Sequence, residues 1–397
     1  MTRRGRPAAL LLAAAACLLL PGCAAQDDAP APRSAPAGAD GEQAAEPAHQ
    51  HATSVPRPRP LRDGERRLTL SMQEPYTPSA PTGVGSDDYR CFLLDPGLAR
   101  DAFITGTTVL PGNREAVHHV ILFRVPPADV AAAEEADAGS DGPGWTCFGG
   151  SGVGGFTDVD DAQWLGAWAP GGRESVLRPG LGTPLEKGSR IVMQVHYNLL
   201  AGDAADVSAT QLRLARADAG IQPLGTMLMP APVELPCRPG RDTSELCDRD
   251  AAVADVQARF GLGAGNTADA LHYLCPGEQR PGSTQSCTRS VGESMTVHGV
   301  AGHMHLLGRS IRIEVNPGTD AARTILDVPV WDFDDQGARA IRPVRLDAYD
   351  EVEVTCRHAQ WLRDELPAFQ GQEERYVVWG EGTTDEMCLG ILQVTRP

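Results

Sequence analysis

Five histidines fall in three short settings: His118 and His119 in "EAVHHVILF", His196 in "MQVHYNL", and His303 with His305 in "GHMHLLG". Neutral imidazole is the commonest metal ligand, and three of them suit zinc, copper or iron. His303 and His305 lie in a run that reads as extended strand. Residues i and i+2 of a strand share a face, so both rings look the same way, as a chelating pair would. The adjacent pair is ambiguous, because neighbours on a regular strand face apart. One metal reaches both only if the strand is bent or one ring uses Nδ1. His196 stands beside Tyr197 and, taken alone, reads as a hydrogen-bonded structural residue. A thioether in the ligand set would move the preference toward Cu(I), since soft sulfur favours that ion.

The elements that carry these residues are strands. In "RIVMQVHYNL" (190–199), Ile191, Met193, Val195 and Tyr197 form one face, and Gln194, His196 and Asn198 the other. "AVHHVILFRV" (116–125), "RSIRIEV" (309–315) and "DEVEVTC" (350–356) are similarly β-rich. Gly-, Pro- and Asp-rich clusters separate the runs. Helical patterns are confined to "PADVAAAEEADAG" (127–139) and "DRDAAVADVQARF" (248–260). An all-β protein of sandwich type follows.

The first 23 residues, with Arg3, Arg4 and Arg6 before an apolar run and "LPGC", read as a secretory signal peptide. Leu20 and Gly22 before Cys23 resemble a bacterial lipobox, which implies lipidation of Cys23 and an exported, membrane-anchored lipoprotein. Residues 24–60 are rich in Ala, Pro and Gly and cannot bury enough surface to offset chain entropy, so a disordered tether is expected. His49 and His51 fall inside it and read as incidental. The remainder exceeds what one core usually supports, and two domains are expected, 61–208 and 209–397. A formal charge of −17, more negative once the three leader arginines are removed, argues against nucleic acid or anionic lipid as partners. Membrane contact is then through the lipid anchor alone.

Of ten cysteines, Cys17 lies in the leader and Cys23 at the lipid site. The remaining eight, with no CxxC pair, read as four disulfides of an exported protein.

Near the C-terminus, "GEGTTDEMCLGILQV" resembles the methionine-bearing strand of the copper type II, ascorbate-dependent monooxygenases. Peptidylglycine α-hydroxylating monooxygenase and dopamine β-hydroxylase belong to that family. The motifs "VHHVILF", "QVHYN", "HMHLLG" and "DEMC" stand in the family order, and the resemblance spans roughly residues 85–397. It implies tandem antiparallel β-sandwich domains of jelly-roll type with a cleft between them, and two copper ions. His118, His119 and His196 would hold the electron-transfer copper. His303, His305 and Met387 would hold the oxygen-binding, catalytic copper. The implied reaction is hydroxylation of a C–H bond of a small organic substrate by O2, with ascorbate or a similar reductant. "DDYRC" and "GWTC" resemble a disulfide-bonded pair in the family, which implies Cys91–Cys147; Cys388 would pair with Cys356. Cys237, Cys247, Cys275 and Cys287 then allow three pairings, of which the two short loops 237–247 and 275–287 are preferred.

The sequence departs from the family in places. Val120 and Val125 stand where a methionine and a cysteine are usual, and Met304 replaces the threonine between the histidines. The upstream histidine of that signature is His298 if it is present at all. Ala301 and Ile391 occupy the positions of the arginine and tyrosine that grip a substrate carboxylate in the peptidyl enzyme, so a C-terminal glycine peptide is not the expected substrate. Gln194, on the His196 face, is a candidate for orienting substrate or water, with structural polarity the alternative. Two readings from other classes stand beside the enzyme: a non-catalytic copper storage or chaperone lipoprotein, and a structural or adhesive surface sandwich with incidental histidines. A zinc hydrolase is disfavoured by a methionine ligand.

Overall fold

Branched and aromatic residues that alternate with polar ones settle into pleated strands, one face dry and one face free for other work. The structure, a computed structural model, describes residues 58–81, 86–154, 158–169, 172–217 and 220–397. The leader, Cys23, the tether to residue 57 with His49 and His51, and residues 170 and 171 lie outside the described residues.

The first half supplies β1 (Arg66–Ser71), β2 (Asp87–Leu94), β3 (Ala102–Leu110), β4 (Val117–Val125) and β5 (Trp145–Thr146). There follow β6 (Trp164–Trp168), β7 (Ser175–Val176), β8 (Leu181–Leu185), β9 (Arg190–Asn198) and β10 (Ala209–Arg216). The short β11 (Gln222–Pro223) closes the first half, and the second begins with β12 (Gly225–Pro230), β13 (Glu234–Leu235), β14 (Thr284–Ser290), β15 (Met295–His303) and β16 (Gly308–Val315). It ends with β17 (Arg323–Val328), β18 (Arg339–Leu346), β19 (Glu351–His358), β20 (Val377–Val378) and β21 (Leu389–Thr395).

Two sandwiches result. In the first, the sheet β5-β2-β9-β4-β6 packs against β1-β10-β3-β8-β11. Ile191, Met193, Val195 and Tyr197 of β9 meet Ile104, Leu212 and Leu214 of the opposing sheet in its core, as the alternation predicts. In the second, β12-β21-β15-β18 packs against β14-β19-β16-β17. Met227, Val300 and Leu392 there interlock with Ile311, Ile313 and Val354. The sheets approach closely at Gly302, where a Cβ would sit 2.7 Å from Ile311 Cγ2. The strand Ala209–Arg216 pairs with both β1 and β3, and Gln222–Pro223 pairs with β8, so the first sandwich runs past the boundary expected at 208/209, to Pro223. All described residues belong to one compact unit.

Both expected helices form, α1 (Val130–Ala138) and α2 (Arg249–Phe260). The Asp248 side chain caps α2 by accepting from Ala251 N at 3.0 Å. A third helix, α3 (Leu262–Leu274), was not expected: Gly263 and Gly265 depress its intrinsic propensity, and packing of Ala268 and Leu271 into the second core overrides that cost. Among the described residues no helix is long and apolar enough to cross a membrane.

Four disulfides form, Cys91–Cys147, Cys237–Cys247, Cys275–Cys287 and Cys356–Cys388, including the two short loops. The last joins β19 to the residue after Met387 across 32 positions of chain. Replacing both Cys356 and Cys388 with serine is expected to lower unfolding free energy by about 2–5 kcal/mol, read from denaturant melts against the wild type.

Candidate metal centre

A single irregularity resolves the ambiguity of the adjacent histidines. In the ladder between β4 and β9, Val117 pairs with Tyr197 and His119 with His196, leaving His118 as the extra residue of a β-bulge. Val117 and Val120 both turn into the first core, and the two residues between them both turn out. The strand is bent where both rings need it to be. His118, His119 and His196 then present one ligand atom each within 4.8 Å of one another. Ring centroids are 5.5 Å apart for His118–His119, 5.1 Å for His118–His196 and 4.6 Å for His119–His196.

Their free nitrogens are set by their partners. His196 Nε2 donates to Asp87 Oδ1 at 2.8 Å, and its Nδ1 is buried without a partner. Asp87 also accepts from Thr383 N at 3.2 Å and from the Thr383 hydroxyl. Burial works against its charge, yet the bonds from His196 and Thr383 hold its carboxyl well below the usual range. Tyr89 stacks flat on His196 at 4.1 Å, and its hydroxyl donates to the Glu381 carbonyl. Both nitrogens of His118 are buried and unpartnered. Burial, with neighbouring histidine charge, holds His118 and His119 well below their ordinary pKa. These rings are neutral, as metal ligands must be.

The second set forms where β15 ends. His303 is its last residue and pairs with Leu389 of β21. His305 lies beyond the strand, in the turn that leads to β16, yet the two rings remain 5.1 Å apart. The buried Glu386 carboxylate ties this turn to the methionine: it accepts from His305 N at 3.0 Å, Leu307 N at 2.6 Å and Met387 N at 3.1 Å. Met387 and His303 line the same cavity. Met304 is fully buried in the second core, facing away from the pair. His303 Nδ1 donates to Gln336 Oε1 at 2.6 Å, which leaves Nε2 free. Burial, then His305, push His303 down to about 3; burial also lowers His305, whose Nδ1 is an orphan.

The two sets meet. The His119 and His303 rings are 6.0 Å apart, and Phe333 stacks on His118 at 4.5 Å while standing 6.4 Å from His305. Phe333 and Gln336 belong to the loop between β17 and β18, and the Gln336 amide donates to the Phe333 carbonyl at 2.7 Å. Sequence reading missed both, and also Asp87 and Glu386. No periodic pattern marks a loop residue, although "DDYRC" and "DEMC" held the two acids in plain view. Gln194 donates to the Gly150 carbonyl at 2.8 Å, fixing the loop behind the Cys91–Cys147 disulfide, although it also lines the cavity. His298 bonds Thr395 Oγ1 at 2.9 Å.

No protein-family model matches the chain, and no curated protein matches it. Among solved structures it is similar to an allantoicase at 14% identity, covering 80% of this chain and 90% of that one, with a TM-score of 0.17. An infectious bursal disease virus VP2 subviral particle matches at 8% identity over 84% and 72%, TM-score 0.19. An oxalate decarboxylase of Lactobacillus farciminis matches at 10% identity over 83% and 86%, TM-score 0.15. Scores this low carry no argument about fold or function.

Buried imidazole nitrogens without partners in the convergent His118/His119/His196 cluster fit a bound transition metal. Asp87→Asn removes the charge behind His196, and metal affinity at the three-histidine site is expected to fall about 10–100-fold. Competition with a chromophoric chelator measures it; unchanged affinity would separate Asp87 from the site.

Proposed function

We propose that the chain is an exported copper-dependent monooxygenase, hydroxylating a C–H bond of an organic substrate with O2 and two electrons from an external reductant such as ascorbate. One observation carries this reading: a three-imidazole cluster faces the His303/His305 pair beside a cavity that Met387 also lines, and one Glu386 oxygen accepts from the backbone of both His305 and Met387. Copper bound there would supply dioxygen binding and one-electron redox chemistry. A store has no use for such asymmetry, whereas an oxygen-reactive site and an electron relay require different shells.

The chain's own residues prepare both. The Met387 thioether would favour the reduced ion, the state that meets oxygen. Asp87 and Gln336 fix which nitrogen of His196 and of His303 is available. Phe333 covers His118 and restricts water at the shared space. Gly302 and Gly390, on the core side of the same sheet, let it settle against Ile311 and Ile313, so the strand that ends in His303 and the strand that follows Met387 rest on a packed base. Four disulfides suit an oxidising compartment, in keeping with export.

The test joins metal counting with turnover. Reconstituted protein is expected to hold about two coppers per chain and to consume oxygen under ascorbate once a substrate is supplied. Met387→Ala should keep the three-histidine copper and lose turnover. Full turnover in that variant overturns the thioether assignment, and copper uptake with no product from any substrate leaves the storage reading. A preparation that takes up no copper leaves only the structural one.

A further inference from the structure

Beside the joined histidine sets lies a cavity of about 1920 Å³, well beyond the ~300–1,000 Å³ of ordinary small-molecule sites. One wall is the outer face of β12-β21-β15. Register places Pro230, Leu389 and His303 in one row, and Leu228, Ile391 and Ala301 in the next. All six line the cavity, and Met387 lines it as well. Across it stand Ile121, Phe123 and Trp164 from β4 and β6. The ring of His303 thus opens onto a lane of apolar side chains with no charge on either row.

We propose that this lane holds a bulky, uncharged, largely apolar molecule whose reacting carbon lies at the His303–Met387 end. The reaction rests on the monooxygenase reading; the binding does not. An acidic substrate would need a cation at the wall, yet Ala301 and Ile391 cannot supply one. Of the arginines that line the cavity, Arg124 and Arg178 are spent on Gln163 Oε1 at 2.7 Å and on the Ile341 carbonyl at 2.6 Å, and Arg59 and Arg173 lie outside the two rows. Glu174 is paired with Arg67 at 2.6 Å. Six further carboxyls line the cavity outside the two rows, Asp129, Asp158, Asp161, Asp334, Asp335 and Glu381, and burial, helped by Asp385, pushes Glu381 up to about 7. The Glu381 carboxyl sits against Gly149, where a Cβ would lie 3.1 Å from its Oε1.

The probe is N-phenyl-1-naphthylamine, a neutral arene that fluoresces in apolar surroundings, titrated into metal-free full-length protein. Saturable binding at one site per chain is expected, weakened at least about tenfold by Leu228→Arg and by Ala301→Arg, with far-UV circular dichroism unchanged. Absence of saturable binding overturns the proposal, as does binding that neither folded variant weakens. Displacement of the probe by phenethylammonium, whether or not Glu381→Gln abolishes it, also overturns the proposal in favour of an amine. Copper stoichiometry is measured in parallel on the same preparation. Copper uptake without probe binding sinks the lane and spares the monooxygenase; probe binding without copper uptake does the reverse.

Discussion

Glu386 has no exposure to solvent, and its carboxylate spends its oxygens on three backbone N–H groups, with His358 Nε2 a further 3.3 Å contact. A buried charge costs several kcal/mol unless it is well bonded, so this one persists only because the amides of His305, Leu307 and Met387 converge on it. The bond geometry works in the other direction too. A turn with no ladder of its own and a residue just ahead of β21 are held to one point, and His305 and Met387 become neighbours as a result. The Cys356–Cys388 disulfide anchors the next residue to β19, so the methionine is restrained on both sides.

The same stretch reaches the other sandwich. Thr383 bonds Asp87, which orients His196; the Glu381 carbonyl accepts from Tyr89, which stacks on His196; and Asp385 takes a two-pronged ion pair from Arg259 at the end of α2. Seven consecutive residues therefore touch the supports of both histidine sets. A displacement of this segment would shift the orientation of His196 and the position of Met387 together, which makes the two halves one mechanical unit at the site even though each has its own core.

Much of this was legible in the amino-acid pattern, and the parts that were not share a cause. Alternation placed β9, β16 and β19 and told which face of β9 carries His196, because burial on one side of a sheet writes itself as period two. The helices at 130 and 249 were visible from their runs of alanine and charge, while α3 hid behind two glycines. The six metal-binding candidates were named from their types and from a family resemblance, but the convergence of His118, His119 and His196 depends on a bulge between Val117 and His119, and a one-residue irregularity leaves no periodic trace. Asp87, Phe333, Gln336 and Glu386 act across long separations, 109 residues in the case of Asp87 and His196. Side-chain partners that distant have no local signature in a single sequence.

On the proposed reading, the asymmetry of the two sets extends past the ligands. His196 is backed by a full carboxylate that strong bonding keeps ionised, which makes its imidazole a richer donor and favours the oxidised ion. His303 is backed by the neutral amide of Gln336, and its set includes a thioether, so its donors are poorer and softer and favour the reduced ion. With rings of the two sets 6.0 Å apart, an electron would have almost no protein to cross. A substrate would then find no room between the two ring sets and would approach from the side. The open side is the apolar lane behind His303, and the same sheet register that aims the ligand lays down the path to it.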